Sequence, residues 1–319
     1  MRILSILPAN EEQEKKLKEA AQKFGATIIF QDRKKVTEEE VLDADIILGN
    51  APPQFVTKSR KLKWLQTNSA GTDQYIVPGL LPEACLLTNA TGSYGPAVGG
   101  WMFAQTLSLL NKLYLYRDAQ NEAKWTDFGK VEGLSGKTVL ICGSGDIGLY
   151  YAGCCRKMGA YTIGIKRRPA KKDDALDELY LSDEIEKVLP RADIVASVLP
   201  GTKETYHFFD RKRFDCFKNG SYFINAGRGT AVDQEVLAQM LQNGKLAAGA
   251  IDVTDPEPLP QDSPLWKIPN LVISPHVSGG FHLAETIERI VNIALENLEK
   301  YFTGQTLRNI VDFETGYKK

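Results

Sequence analysis

Residues 143–148 read Gly143-Ser144-Gly145-Asp146-Ile147-Gly148, a G-x-G-x-x-G run whose surroundings constrain the fold more than any other stretch. The apolar segment Lys137 to Cys142 precedes it, and Ile147, Tyr150, Tyr151 and Cys154 follow at helical spacing. A strand that turns through glycines directly into a helix is the unit that cradles a dinucleotide pyrophosphate. Gly143 permits the turn, and Gly145 lets backbone amides approach the anion. Gly148 lets helix and strand pack closely, and the helix N-terminus faces the negative charge.

The rest of the chain repeats the same alternation of apolar runs and amphipathic segments. Arg2 to Leu7, Thr27 to Phe30, Asp45 to Gly49, Lys63 to Gln66 and Cys85 to Thr88 read as strands. Between the first two, Leu17, Ala20, Ala21 and Phe24 share one helical face. A second series follows Trp125: Lys137 to Cys142, Tyr161 to Ile165, Asp193 to Val198, Ser221 to Asn225, Ala247 to Asp252 and Leu271 to Ser274. Strands separated by helices pair in parallel through helical crossovers, so both series read as α/β units. Between them, Val98 to Tyr116 reads as one long helix, apolar on most sides through Val98, Trp101, Met102, Leu107, Leu110 and Leu113. Such a helix must be covered on more than one face, by a second domain or a second subunit.

Charge and cysteine usage narrow the function classes. The 39 Lys and Arg against 40 Asp and Glu give a net charge of -1, which leaves no cationic excess for a nucleic-acid backbone. Five cysteines without regular spacing argue against a disulfide framework and for a cytoplasmic, reducing setting. The N-terminus reads as a strand rather than a signal peptide. Ala84 to Asn111 carries no charge, but its Gly, Pro and polar residues would break a lipid-facing helix, so no membrane partner is expected.

Several residues sit where open parallel sheets bind ligands, past the C-terminal ends of strands. At the end of the strand after the glycine run, an NAD-specific domain places an acid, about 20 residues on, to hold the ribose 2'-hydroxyl. Here that position is Lys166-Arg167-Arg168, which attracts a 2'-phosphate and favours NADP, with NAD remaining an alternative. Arg228, Asp252 and His276 follow three later strands, and Glu257 lies in the stiff Pro256-Glu257-Pro258 turn. Of the three histidines, His207 and His282 read more simply as packing or surface residues. No cluster with metal-ligand spacing is present, so no metal is expected.

Taken in order, Gly143 to Gly148, Asn225-Ala226-Gly227-Arg228-Gly229, Asp252-Val-Thr-Asp-Pro-Glu257 and Ser274-Pro-His276-Val-Ser-Gly resemble the D-isomer-specific 2-hydroxyacid dehydrogenases. Arg228 and Glu257 stand 29 residues apart, and Glu257 and His276 19 apart, which matches that family's spacing. Leu199-Pro200-Gly-Thr-Lys-Glu-Thr205 is similar to its adenine-side loop. The resemblance implies a Rossmann-type doubly wound parallel sheet domain, 98–282, inserted into a smaller flavodoxin-like α/β substrate domain of 1–97 and 283–319. It further implies a homodimer joined through 98–125. Where many members carry Ala-Glu at the start of the connecting helix, this chain has Gly99-Gly100.

The implied chemistry is hydride transfer between a nicotinamide cofactor and a small 2-oxo acid or D-2-hydroxy acid, such as glyoxylate or hydroxypyruvate. His276 would donate the proton and Glu257 would stabilise its protonated form. Arg228 would hold the substrate's carboxylate and carbonyl, and the backbone amides of Ala70 and Gly71 would bind the carboxylate. Asp252 would contact the nicotinamide carboxamide, while Ala226 and Gly227 would line the cofactor. A short phosphoglycerate dehydrogenase-like enzyme and a catalytically silent, dinucleotide-sensing corepressor-like protein are the alternatives.

Overall fold

In the computed structural model, which describes residues 1–314 and 317–318, the strands of both large sheets all run parallel to their neighbours. The chain divides into two compact units, one of Met1–Tyr94 with Phe281–Lys319 and one of Gly95–Gly280.

The first unit holds β1 (Arg2–Ser5), β2 (Thr27–Phe30), β3 (Ile46–Leu48), β4 (Trp64–Gln66) and β5 (Leu86–Thr88) in the order β2-β1-β3-β4-β5. This is the flavodoxin-like order. All three residues of β3 and of β4 are buried, as expected for central parallel strands covered on both faces. Helix Glu11–Lys23 starts at a capping box between Asn10 and Gln13 and buries Gln13, Leu17 and Ala21.

The C-terminal helix Ala284–Phe302 belongs to this unit, and a buried polar network fixes it there. The fully buried Asn297 amide donates to Gln66 Oε1 at 2.8 Å and to the Arg308 carbonyl at 3.0 Å. Gln66 Oε1 also accepts from Thr88 Oγ1 at 2.8 Å, and Thr88 Oγ1 accepts from Trp64 Nε1 at 2.8 Å. Helix, β4 and β5 are thereby joined through groups that have no water to fall back on.

The second unit holds β6 (Thr138–Cys142), β7 (Tyr161–Lys166), β8 (Glu178–Leu181), β9 (Ile194–Ser197), β10 (Ser221–Asn225), β11 (Leu246–Ile251) and β12 (Leu271–Ile273). Their order, β12-β11-β10-β9-β6-β7-β8, is the doubly wound Rossmann order with one strand added. The chain leaves β6 toward β7 and β8, then returns to β9 on the other side. The topological switch point therefore lies at the end of β6, where residues 143–148 sit. Strand β10 is buried throughout, with Phe223 packed against Phe209 at 5.0 Å between ring centroids.

Two expectations need correction. The helix expected over Val98 to Tyr116 is broken: a π-helical turn Gly95–Gly99 runs into helix Gly100–Leu110, and a separate helix covers Leu113–Asn121. Asn111 turns its side-chain amide back to the Leu107 carbonyl, and Lys112 adopts a left-handed φ of 55° that ends the first helix. Only the first helix is packed in the unit's interior, where Thr106 Oγ1 meets Tyr151 OH at 2.8 Å. The second correction is strand β8, which sequence periodicity did not reveal. Its four residues are all half-buried at a sheet edge, so no apolar face marks it. No helix among the described residues is long and apolar enough to cross a membrane.

Replacing Asn297 by Ala removes a donor from Gln66 and from the Arg308 carbonyl. We expect a loss of about 2 kcal/mol, read as a melting temperature lower by roughly 5 °C. An unchanged melting temperature would show that the network does not hold the C-terminal helix.

Candidate active site

The glycine run folds as its spacing requires. Gly143 has φ of 99°, and a Cβ there would lie 2.8 Å from the Val198 carbonyl oxygen. A Cβ on Gly148 would come within 2.3 Å of the Gly143 carbonyl oxygen, so no larger residue lets helix Asp146–Lys157 start here. Gly145 is different. A Cβ on it would meet nothing within 4 Å, so the chain itself does not need that glycine. The space beside it is free for an approaching ligand, and no side chain caps the helix N-terminus. Open backbone amides at a helix start with an unobstructed approach suit a pyrophosphate. Asp146 faces elsewhere, accepting from the Gly95 amide at 2.9 Å.

Strand β7 is stitched to this turn. The Ile165 carbonyl accepts from the amides of Gly143 and Ser144 at 3.3 and 3.2 Å and from Ser144 Oγ at 3.1 Å. Lys166, Arg167 and Arg168 therefore emerge beside the glycine turn, with Lys166 half-buried and both arginines exposed. The Glu204 carboxyl is held below its ordinary value, first by its own backbone amide and the Thr202 hydroxyl, with Arg167 adding a smaller attraction. Thr202 and Glu204 lie in the 202–205 turn. The turn itself is closed by Thr205 Oγ1, which donates to the Pro200 carbonyl at 2.5 Å, while Leu199 is buried beneath it.

Arg228 follows β10 in extended conformation, with φ -134° and ψ 143°. The buried Asn225 side chain holds both sides of its loop, donating to the Arg228 carbonyl at 3.0 Å and accepting from the Gly227 amide at 3.1 Å. Loops from three adjacent strands press together here. A Cβ on Gly227 would lie 2.3 Å from the Leu199 carbonyl oxygen, and one on Gly229 2.0 Å from that of Thr254.

Glu257 and His276 are brought together. His276 Nδ1 and Glu257 Oε2 are 2.8 Å apart, and Glu257 Oε1 accepts from the Thr254 amide at 3.0 Å. The peptide bonds before Pro256 and Pro258, on either side of Glu257, are both cis. His276 itself has φ of 51°, a left-handed conformation uncommon outside glycine. Its amide donates to the Asp252 carbonyl at 2.7 Å. The Asp252 carboxylate, 1% exposed, accepts from Ser274 Oγ at 2.5 Å, from the amides of Val277 and Ser278 at 3.0 Å each, and from Ser278 Oγ. Sequence reasoning assigned Asp252 to the cofactor and did not anticipate either serine. A polar residue at Ser274 and another at Ser278, spaced to flank a histidine, was the available signal.

In the first unit, Ala70 and Gly71 lie in the loop after β4. The carbonyls around them are occupied: that of Ser69 accepts from Thr67 Oγ1 at 2.9 Å, that of Ala70 from Asn89 Nδ2 at 2.9 Å, and that of Gly71 from Ser69 Oγ at 2.6 Å. Their amides donate to no group among the described residues, a pairing that suits an anion. Burial pushes the Cys85 and Cys155 thiols up to about 12, which keeps both protonated. No group of acidic, histidine or cysteine side chains among the described residues could hold a metal.

Residues 103–278 match the family model for the NAD binding domain of D-isomer specific 2-hydroxyacid dehydrogenases. Glyoxylate/hydroxypyruvate reductase B of Enterobacter sp. (strain 638) is 32% identical over 267 residues, 81% of this chain and 80% of that protein. An uncharacterised protein of Corynebacterium melassecola is 31% identical over 88% of this chain and 92% of its own length. Among solved structures, a D-isomer specific 2-hydroxyacid dehydrogenase family protein from Aeromonas salmonicida superposes with a TM-score of 0.85. It is 33% identical, covering 98% of this chain and 99% of that one.

The open space at Gly145 yields a clean test. A Cβ at Gly145 would meet no protein atom within 4 Å, so for Gly145→Val we expect a melting temperature close to wild type with NADPH affinity lowered at least about tenfold, read by fluorescence titration. Retained affinity would remove the glycine turn from the dinucleotide site.

Proposed function

This chain belongs to the D-isomer specific 2-hydroxyacid dehydrogenase family, and we propose that it is a reductase of small 2-oxo acids, such as glyoxylate or hydroxypyruvate, that prefers NADPH. Members are oxidoreductases acting on the CH–OH group of donors. The observation that carries the proposal is the pairing of His276 Nδ1 with Glu257 at 2.8 Å, on the sheet edge that also presents Arg228.

Reduction of a 2-oxo acid adds a hydride to the carbonyl carbon and a proton to its oxygen. When bound, the reduced nicotinamide supplies the hydride. The protein's tasks are to deliver the proton, to neutralise charge and to fix orientation. Because Glu257 occupies Nδ1, Nε2 is the His276 atom that gives the proton, and Glu257 compensates the charge of the imidazolium that gives it. Arg228 carries a permanent charge on a backbone clasped by Asn225, so it can bind the carboxylate and stabilise charge developing on the carbonyl oxygen. The amides of Ala70 and Gly71, which donate to no group among the described residues, suit a carboxylate as well.

Cofactor preference rests on the end of β7. No acid stands there to accept a ribose hydroxyl, and three cations stand beside the glycine turn. A unit charge pair at about 4 Å contributes about 1 to 4 kcal/mol between water-like and surface dielectrics. Lys166, Arg167 and Arg168 would thus favour the 2'-phosphate of NADP over the hydroxyl of NAD. Leu199, Pro200 and Thr205 would lie on the adenine side, and Ala226, Gly227 and Asp252 toward the nicotinamide.

We extend the reading to a homodimer formed through 98–125. After the break at Lys112, Leu113 and Tyr116 are exposed and Trp125 is fully so, an apolar surface of the kind a second subunit covers. The five free cysteines fit a cytoplasmic location.

His276→Asn keeps the ring's approximate volume and removes the proton donor. We expect kcat with NADPH and glyoxylate to fall about 10²- to 10⁴-fold while NADPH affinity holds within twofold. Near-wild-type turnover would take His276 out of the mechanism.

A further inference from the structure

The loop that presents His276 is held in an unfavourable backbone conformation by a buried carboxylate, and the two serines flanking the histidine complete that hold. We infer that Ser274 and Ser278 are positioning residues for the reaction, acting on His276 through Asp252. This rests on the reading of His276 as the proton donor.

The case is geometric. A left-handed φ at a non-glycine residue persists only where its surroundings over-determine it, and His276 has φ of 51°. Asp252 supplies the constraint twice. Its backbone carbonyl accepts the His276 amide at 2.7 Å, and its carboxylate accepts from both sides of the histidine. Ser274 Oγ and the Val277 amide share Oδ1, whereas the Ser278 amide and hydroxyl share Oδ2. A carboxylate offers about four lone-pair sites, so these four donors occupy its accepting capacity.

Burial makes the serines consequential. Asp252 is 1% exposed, and a carboxylate taken out of water is tolerable only when its acceptors are satisfied. The two amides belong to the loop backbone and come with any sequence; the two hydroxyls require serine or threonine at positions 274 and 278. Without the Ser278 hydroxyl, Oδ2 keeps a single donor, and the loop gains freedom to relax toward ordinary backbone angles. His276 would then leave its alignment without any change at the glycine turn or at Lys166–Arg168. A misplacement of about 1 Å in a reacting group lowers turnover steeply.

The test compares Ser278→Ala, Ser274→Ala, Ser278→Thr and His276→Asn with the wild type, measuring kcat, KM for glyoxylate, NADPH affinity and melting temperature. We expect Ser278→Ala to lower kcat about tenfold and Ser274→Ala about fivefold. KM and NADPH affinity should stay within twofold, and Ser278→Thr, which keeps the hydroxyl, should restore kcat to within threefold of wild type. An unchanged kcat in both alanine variants, while His276→Asn is inactive, would overturn this inference and leave the His276 reading intact. An equal loss of kcat and NADPH affinity would also overturn it, by showing that the carboxylate chiefly serves the cofactor. Full turnover in His276→Asn would instead remove the reading on which the inference rests.

Discussion

Everything proposed for this site depends on backbones approaching one another at the C-terminal ends of parallel strands, closer than any side chain would permit. The start of helix Asp146–Lys157 lies against the turn that leaves β6, where a Cβ on Gly148 would be 2.3 Å from the Gly143 carbonyl oxygen. Two strands away, the loop after β10 lies against the loop after β11, with 2.0 Å left between a Gly229 Cβ and the Thr254 carbonyl oxygen. These contacts set the spacing between the cofactor turn, Arg228 and the Glu257 loop. Parallel pairing supplies the rest, because every strand delivers its functional residue to the same edge.

On that frame the polar groups are arranged in two layers of different exposure. Asn225 and Asp252 are buried and commit their hydrogen-bonding capacity to the loops around them, Asn225 to backbone groups and Asp252 to two backbone amides and two serine hydroxyls. Arg228, proposed to hold the substrate, is partly exposed, and Glu257 and His276 are exposed. The buried layer determines where the exposed layer points. A pair such as His276 and Glu257 on the surface contributes little to stability. Its value is orientation, since the hydrogen bond on Nδ1 decides which nitrogen faces the chemistry.

Much of this was legible in the sequence, for physical reasons that differ by element. Buried parallel strands such as Ser221–Asn225 stand out as short runs centred on apolar residues, and the glycine turn stands out because no larger residue fits at Gly143 or Gly148. The pairing of Glu257 with His276 was foreshadowed by their order and spacing. Strand β8 was not, because an edge strand of half-buried residues has no periodic signature. Nor was the break at Asn111 and Lys112, since an apolar run does not reveal where a side chain will cap the helix carrying it. The roles of Ser274 and Ser278 escaped because their partner lies more than twenty residues earlier in the chain.

The account's central claim is that this sheet edge reduces a 2-oxo acid with NADPH. The most direct measurement is steady-state turnover with NADPH and with NADH, each against glyoxylate, hydroxypyruvate, pyruvate and a branched 2-oxo acid. The account predicts turnover of glyoxylate or hydroxypyruvate at least about tenfold more efficient with NADPH, as one unit charge pair at the 2'-phosphate allows. Equal or better use of NADH would contradict the role given to Lys166, Arg167 and Arg168. Tight cofactor binding without turnover of any of the four acids would contradict the claim itself and identify a protein that senses dinucleotides rather than one that reduces with them.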